Sequence, residues 1–283
     1  MANIQDNKSL KSRLGLFAVY FILAIFTILA IYPLIWLFMN SFKTTTEFQL
    51  NKLGFAQKPT FINYQDAWVR GKFPMLIVNS VLYTGITTIM IILLSFMSGF
   101  AFAKIKMKST KVLHGSYVIG LLMTLQSIMV PLFLVINWMH LYDTKLGVLI
   151  PYIGIGLPMG VYLATEFIKS IPDALIESAR LEGAKYWKIF ISIIFPMGRP
   201  VATTIAILTV TGTWNEFMLI NILTSSDANK SLPVGVQKFA GALSSDFGKQ
   251  FASLVIGLVP MLVFYMIFRK EITKGVAAGA VKG

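Results

Sequence analysis

Six runs of apolar residues leave this chain little choice of architecture: 14–40, 75–103, 112–139, 146–165, 201–223 and 251–268. A hydrocarbon core about 30 Å thick needs about 20 apolar residues in helical form to cross it. Backbone amides in lipid must also be satisfied within the segment, which a helix does by itself. The sequence therefore predicts an all-α integral membrane protein of six transmembrane helices. It contains no Pro/Gly/Ser-rich linker, low-complexity tract or short repeat, so one transmembrane domain over residues 1–283 is expected. Composition fits, with 56% hydrophobic and 13% charged residues and a mean hydropathy of +0.72.

The first run follows Lys8, Lys11 and Arg13, as a secretory signal would. Its apolar stretch is far longer than the ~7–15 residues of a signal core, and no A-x-A site follows, so it reads as a retained helix. With six spans both termini share one side. That side carries 16 of the 25 Lys and Arg residues, and the opposite side carries 9 over longer segments. The positive-inside rule then places both termini in the cytoplasm, and a multi-pass membrane protein is expected. The net charge of +13 sits on short loops beside the spans, where anionic lipid headgroups account for it better than nucleic acid does. No nucleic-acid partner is expected.

Zero cysteines exclude disulfides and thiolate chemistry. His114 and His140 fall near opposite membrane faces and cannot share a metal. No phosphate-binding G-x-x-x-x-G-K-[ST] loop is present, so ATP, if used, is hydrolysed by another polypeptide.

Between the fourth and fifth runs lies a charge-dense stretch, IPDALIESARLEGAKYWKIFISIIFPMGRP, residues 171–200. Pro172 and Asp173 suit a helix start. Gly183 breaks the pattern, and Trp187, Phe190, Ile191 and Ile194 recur at helical spacing. Pro196 and Pro200 close the stretch. The expectation is two short helices around a tight corner on the cytoplasmic side. On the other side, residues 41–74 carry Phe55, Phe61, Tyr64 and Trp68 and read as a small outer cap, with 224–249 as a second outer loop. Glu216 is the one acid well inside a span, about 24 Å beyond Pro200 at about 1.5 Å per residue. An acid at that depth faces a bundle interior or cavity. Two roles stay open for it: lining or gating a path through the bundle, or pairing with a polar group of another span. Glu166, nearer a span end, reads as solvated.

These residues carry a resemblance. Glu177-Ser178-Ala179, then Gly183-Ala184, Phe190 and Pro196, resemble the EAA loop of permease subunits in bacterial ATP-binding-cassette importers. Ser178 replaces the loop's middle Ala, and Phe195 the Leu before its Pro. Trp214-Asn215-Glu216-Phe217 resembles a W-N-E-F stretch of the sugar-importing branch. Tyr32-Pro33, Ser41-Phe42-Lys43, Asn79-Ser80, Asp143-Thr144, Leu157-Pro158 and the tail with Gly279, Val281, Lys282 and Gly283 resemble the second permease subunit of maltose-type importers. The resemblance runs along essentially the whole chain.

It implies a coupling-helix loop at Glu177, Ser178, Ala179, Arg180, Gly183 and Ala184 that meets an ATPase, and a tail that touches the same ATPase. It implies a translocation path near Trp214, Asn215 and Glu216. The implied partners are a sister permease, a dimeric ATP-binding-cassette ATPase carrying the ATP and magnesium, and an extracytoplasmic sugar-binding protein. No cofactor is expected in this chain. Substrates are expected to be sugars or oligosaccharides, with polyols or glycerol-phosphate-like solutes as the alternative. Aromatic residues able to stack on a sugar are Tyr83, Phe96, Trp138, Tyr152 and Trp214. An ion-driven secondary transporter is the alternative of another class, but it would need ionisable groups in several spans. A membrane enzyme would need a catalytic constellation, and Glu216, Ser95, Ser98, Thr87 and Thr88 form none.

Overall fold

The computed structural model describes residues 3–105, 109–239 and 246–280, with side chains placed over 15–105, 109–239 and 246–271. Helices and turns alone make up the described residues. In chain order they are α1 (Asn3–Ser41), α2 (Thr45–Leu50), α3 (Ile62–Val69), α4 (Phe73–Lys104), α5 (Thr110–Gly120), α6 (Leu125–Trp138) and α7 (Lys145–Lys169). There follow α8 (Asp173–Leu181), α9 (Tyr186–Ile189), α10 (Phe195–Met197), α11 (Arg199–Asn215), α12 (Met218–Leu223), α13 (Leu232–Val236) and α14 (Phe247–Ala280).

Four segments are single helices long and apolar enough to cross a membrane: Gly15–Ser41, Phe73–Lys104, Lys145–Lys169 and Phe247–Glu271. Two bent helix pairs pass the same test of length and composition when each pair is taken together: Thr110–Gly120 with Leu125–Trp138 at 108°, and Tyr186–Met197 with Arg199–Asn215 at 72°. Counted so, the six apolar runs give six spans. The fifth departs from expectation. The run 201–223 was expected as one helix, yet α11 stops at Asn215 and Glu216 adopts an extended conformation (ψ 129°) before α12 begins.

Local sequence explains the helix ends. Pro74 lies in the first turn of α4, where its missing N–H costs nothing, and Lys104 in the last turn complements the carbonyl end. Thr144 caps α7 by accepting a hydrogen bond from the Gly147 amide at 3.0 Å.

The helices gather into two compact units. The first comprises Met1–Gly71 and Val236–Val259. In it the expected outer cap is ordered: Trp36 meets Phe48 and Phe251 edge-on at 5.9 and 5.3 Å. Lys43 is fully buried and donates to the carbonyls of Asn51 and Gly54 at 2.7 and 2.6 Å. Burial lowers its pKa, with the Glu47 charge opposing. Asn63 donates to the carbonyls of Ser41 and Lys43 at 2.8 and 2.7 Å, pinning the chain where it leaves α1.

The second unit comprises Lys72–Gly235 and Pro260–Gly283. Its centre is the packing of α4 on α7, with α11 alongside. Glycines let the two backbones approach: a Cβ at Gly99 would stand 3.0 Å from Ala164 Cβ, and one at Gly160 would collide with Ser95. One buried cluster joins Ile91, Phe96 and Phe100 of α4 to Ala164 and Ile168 of α7 and to Ile176, Ile189, Phe190 and Ile194. A second joins Tyr83, Tyr152, Leu149, Met129, Leu219 and Leu223.

Beside the second cluster Asp143 binds the start of the 224–249 loop. Its carboxylate accepts from the Ser225 and Ser226 amides (both 3.1 Å), the Ser226 hydroxyl (2.9 Å) and Asn229 Nδ2 (3.2 Å). Burial pushes its pKa up, but the hydrogen bonds from Asn229, Ser226 and Ser225 outweigh it and hold the carboxyl below the usual range.

Candidate functional site

Two features gather the sequence-predicted site residues, and each is built on the second unit. The first is the hairpin 173–194. Helix α8 begins at Asp173 after Pro172, and its end is closed by Glu182 N to Ser178 O, Gly183 N to Arg180 O and Ala184 N to Ala179 O at 3.1, 3.0 and 2.9 Å. Gly183 supplies the left-handed corner at φ +85°, a conformation that costs an L side chain about 1–2 kcal/mol. The space around it is open, since nothing lies within 4 Å of a Cβ built there. The glycine therefore answers to backbone conformation alone.

The second arm differs from expectation. Trp187, Phe190, Ile191 and Ile194 were expected on one face, but the structure separates them. Phe190 and Ile194 are buried with Ile189, whereas Trp187 and Ile191 are exposed. The Trp187 ring still stacks on Phe190 at 5.6 Å, and beyond it the chain makes a π-turn over Phe190–Ile194, which shifts the helical phase. Nor does Pro196 end the helix. It sits in the first turn of α10, and the bend comes at Gly198.

The hairpin thus has two sides. Inward, Ile176, Ile189, Phe190 and Ile194 pack on α4 and α7, with Ala179 and Ala184 against the same cluster. Phe100 of α4 meets Phe190 and Tyr186 at 5.9 and 6.2 Å. Outward stand Glu177, Ser178, Arg180, Glu182 and Trp187, with Leu181 90% exposed. The Arg180 guanidinium sits 5.1 Å over the Tyr186 ring rather than on Glu177. Ser178 returns its hydroxyl to the Ala174 carbonyl at 2.9 Å.

The second feature is a cavity of about 350 Å³ whose lining includes Ile91, Tyr152, Gly156, Leu208, Thr213 and Glu216. Glu216 forms its polar corner. Carboxylate Oε2 accepts from the Tyr152 hydroxyl at 2.7 Å and the Ile220 amide at 3.1 Å, and Oε1 accepts from the Leu219 amide at 2.7 Å. Of the two roles considered for this acid, the pairing with another span is seen, in the bond from Tyr152 of α7, and the acid also borders the cavity. The same bonds explain the broken fifth helix, because the carboxylate takes up amides that the break releases. Trp214 is buried, and Asn215 is exposed with its amide returned to Thr211 O at 2.8 Å.

Gly279 lies in the final stretch of α14, while Val281, Lys282 and Gly283 fall outside the described residues. Glu166, near the end of α7, pairs with Lys169 at 2.7 Å on the surface. Among the described residues no cluster of three or more His, Cys, Asp or Glu could hold a metal.

Sequence reasoning had not assigned Tyr152 to Glu216 or Lys104 to the hairpin. The first was not legible, because the runs hold many donors, Tyr20, Tyr32, Tyr83, Tyr117 and Tyr162 among them, and only packing selects Tyr152. The second was hidden because Lys104 counted only towards loop charge.

Residues 95–270 match the family model described as binding-protein-dependent transport system inner membrane component. The trehalose transport system permease protein SugB of Mycobacterium tuberculosis (strain CDC 1551 / Oshkosh) is 31% identical over 258 residues, 90% of this chain and 93% of that protein. The diacetylchitobiose uptake system permease protein NgcG of Streptomyces coelicolor (strain ATCC BAA-471 / A3(2) / M145) is 27% identical, over 92% and 87%. A crystal structure of a bacterial ABC transporter involved in the import of the acidic polysaccharide alginate contains a chain of the same fold. It matches with a TM-score of 0.80 at 22% identity, covering 92% of this chain and 97% of that one. The chain is a multi-pass membrane protein, and it belongs to the family of inner membrane components of binding-protein-dependent transport systems.

Proposed function

We propose that this chain is the permease subunit of an ATP-driven importer of sugars or oligosaccharides, a single permease domain that forms the translocation path with a sister permease. The observation that carries the reading is the two-sided hairpin: an apolar inner face fixed to α4 and α7, and an exposed outer face of Glu177, Ser178, Arg180, Leu181 and Trp187. A surface so anchored moves with the bundle, and it presents charge and apolar area for a partner. Family membership supplies the binding protein, and the sugar names borne by SugB and NgcG supply the substrate class.

In this reading a separate dimeric ATPase, carrying ATP and magnesium, docks on Glu177, Ser178, Ala179, Arg180, Gly183 and Ala184 and on the tail at Gly279, Val281, Lys282 and Gly283. Both termini are then cytoplasmic, in a bacterial cytoplasmic membrane. Trp214, Asn215 and Glu216 lie on the path. Rigid-body rocking of the bundle, driven through the hairpin, alternates access to it.

The test is uptake in a strain lacking this chain, with radiolabelled trehalose, maltodextrins and diacetylchitobiose as probes. Loss of uptake of at least one, restored by the wild-type chain and abolished by ATP depletion, supports the reading. Uptake of that probe persisting after ATP depletion would favour an ion-driven carrier. Uptake of glycerol phosphate or a polyol, with no sugar affected, would move the substrate class.

A further inference from the structure

Helix α4 grips other parts of the second unit by polar contacts at both of its ends. At its C-terminal end the Lys104 side chain, only 5% exposed, donates to the Ile171 carbonyl and to Asp173 Oδ1, both at 2.6 Å. Asp173 is the first residue of α8, and its own side chain is 69% exposed. At the other end Asn79 donates to the carbonyls of Ala228 and Lys230 at 2.8 and 2.9 Å. Tyr83 donates to the Asn229 carbonyl at 2.8 Å, and Ser80 accepts from the Leu232 amide at 2.9 Å. Asn79 and Lys104 stand 25 residues apart in one helix, about 37 Å at about 1.5 Å per residue.

The other described contacts between hairpin and α4 are apolar, with Phe100 against Phe190 and Tyr186 and Phe96 in the same cluster. Apolar packing is non-directional and tolerates sliding, whereas a short hydrogen bond to a buried ammonium fixes direction and register. We propose that Lys104 is a positioning residue through which a displacement of the hairpin is carried into α4 and along it to the segment 228–232. The proposal rests on the hairpin being the ATPase contact. It adds the residue that converts that contact into movement of one helix, and the place where the movement emerges. A helix held at both ends moves as a rod, so a shift at Asp173 reaches the carbonyls held by Asn79 without loss of register.

The experiment uses the full chain assembled with its partner subunits in proteoliposomes. Ala228→Cys is the reporter, at an exposed position whose only contact in this network is its backbone carbonyl. The chain has no other cysteine, so a maleimide label on its gel band reports this position alone. The quantity read is the ratio of labelling rates with and without ATP plus vanadate. A ratio of about fivefold is expected with Lys104 in place, about onefold in Lys104→Met, and most of the response back in Lys104→Arg.

A full ratio in Lys104→Met, or no nucleotide response with Lys104 present, overturns the proposal. Gly183→Val separates this from failure of the underlying reading. If the hairpin is not the ATPase contact, Gly183→Val keeps both the co-purifying ATPase and the ratio. If only Lys104 has been misassigned, Gly183→Val loses the ratio while Lys104→Met keeps it. Should Lys104→Met fail to assemble, Asp173→Asn at an exposed carboxylate carries the same test. At least about a twofold smaller response is then expected, and an unchanged one overturns the proposal.

Discussion

Tyr152 donates its hydroxyl hydrogen to Glu216 Oε2 at 2.7 Å, joining the N-terminal third of α7 to the break between α11 and α12. With the amides of Leu219 and Ile220, this gives the carboxylate three donors at one wall of the cavity. The cost of the acid at this depth is thus met within the chain, and the break in the helix is fixed by the residue that causes it.

Removing one donor and removing the acid should therefore differ. Tyr152→Phe leaves Glu216 with two amides and should lower stability by about 1–2 kcal/mol. Glu216→Ala leaves the Leu219 and Ile220 amides and the Tyr152 hydroxyl without their acceptor and should cost about 3 kcal/mol or more. Thermal unfolding of the detergent-solubilised protein measures both. Equal melting temperatures for the two variants would show that the carboxylate does not organise this break.

At Gly183 strain and space make separable demands. The position is open but left-handed, so Gly183→Ala should destabilise α8 locally by about 1 kcal/mol, while Gly183→Val, β-branched, should cost about 2–3 kcal/mol and distort the corner. Insertion of the spans should survive both changes. ATPase co-purification should fall modestly in the first and strongly in the second. Full retention in Gly183→Val would mean that the corner's shape is irrelevant to docking.

Asp143 gives a pH signature. Its carboxyl is held below the ordinary value in the folded state, so its contribution is complete above the unfolded pKa of about 3.9 and is lost as pH falls through the lower folded value. Asp143→Asn keeps a residue that tolerates the left-handed φ of 54°, removes the charge and turns one of the two accepting oxygens into a donor. The wild type should melt above the variant at pH 5–7, with the gap shrinking below about pH 4. A gap that persists unchanged at pH 3 would place the stabilisation elsewhere.

Sidedness can be read without disturbing any of these sites, because the chain has no native cysteine. Ser109→Cys, on the side carrying 16 of 25 Lys and Arg, should resist a membrane-impermeant maleimide in intact cells. Lys58→Cys, in the exposed cap, should react. The reverse pattern would invert the topology.

The sequence made the spans legible because a bilayer demands one simple property, an uninterrupted apolar length, and α1, α4, α7 and α14 display it. It made the hairpin legible too, through Pro172, Gly183 and the acid at 173. What it concealed were departures from a uniform helical period. The π-turn at Phe190–Ile194 shifts the phase after Ile189 and leaves Ile191 exposed, and no residue type there announces it. The stop at Asn215 depends on Glu216 turning its side chain back to amides three and four residues on, which needs Tyr152 in place to complete the shell. Lys104 looked like one more basic residue of a cytoplasmic loop. Its role depends on which carbonyl lies within reach, and that is known only once α4 and α8 are packed.

The separation of the hairpin into an embedded row (Ile176, Ile189, Phe190, Ile194) and an outward row (Glu177, Leu181, Glu182, Trp187) has a bearing on how such a chain can change over time. Substitutions at exposed positions away from caps and special backbone conformations shift stability by only about 0.5 kcal/mol, whereas those in a packed cluster cost several times more. The outward row can therefore drift, or be exchanged wholesale, while the scaffold that holds it stays put. If that outward row is the ATPase contact proposed above, a permease built this way can be re-addressed to a different motor by rewriting a handful of surface letters, without relearning how to fold.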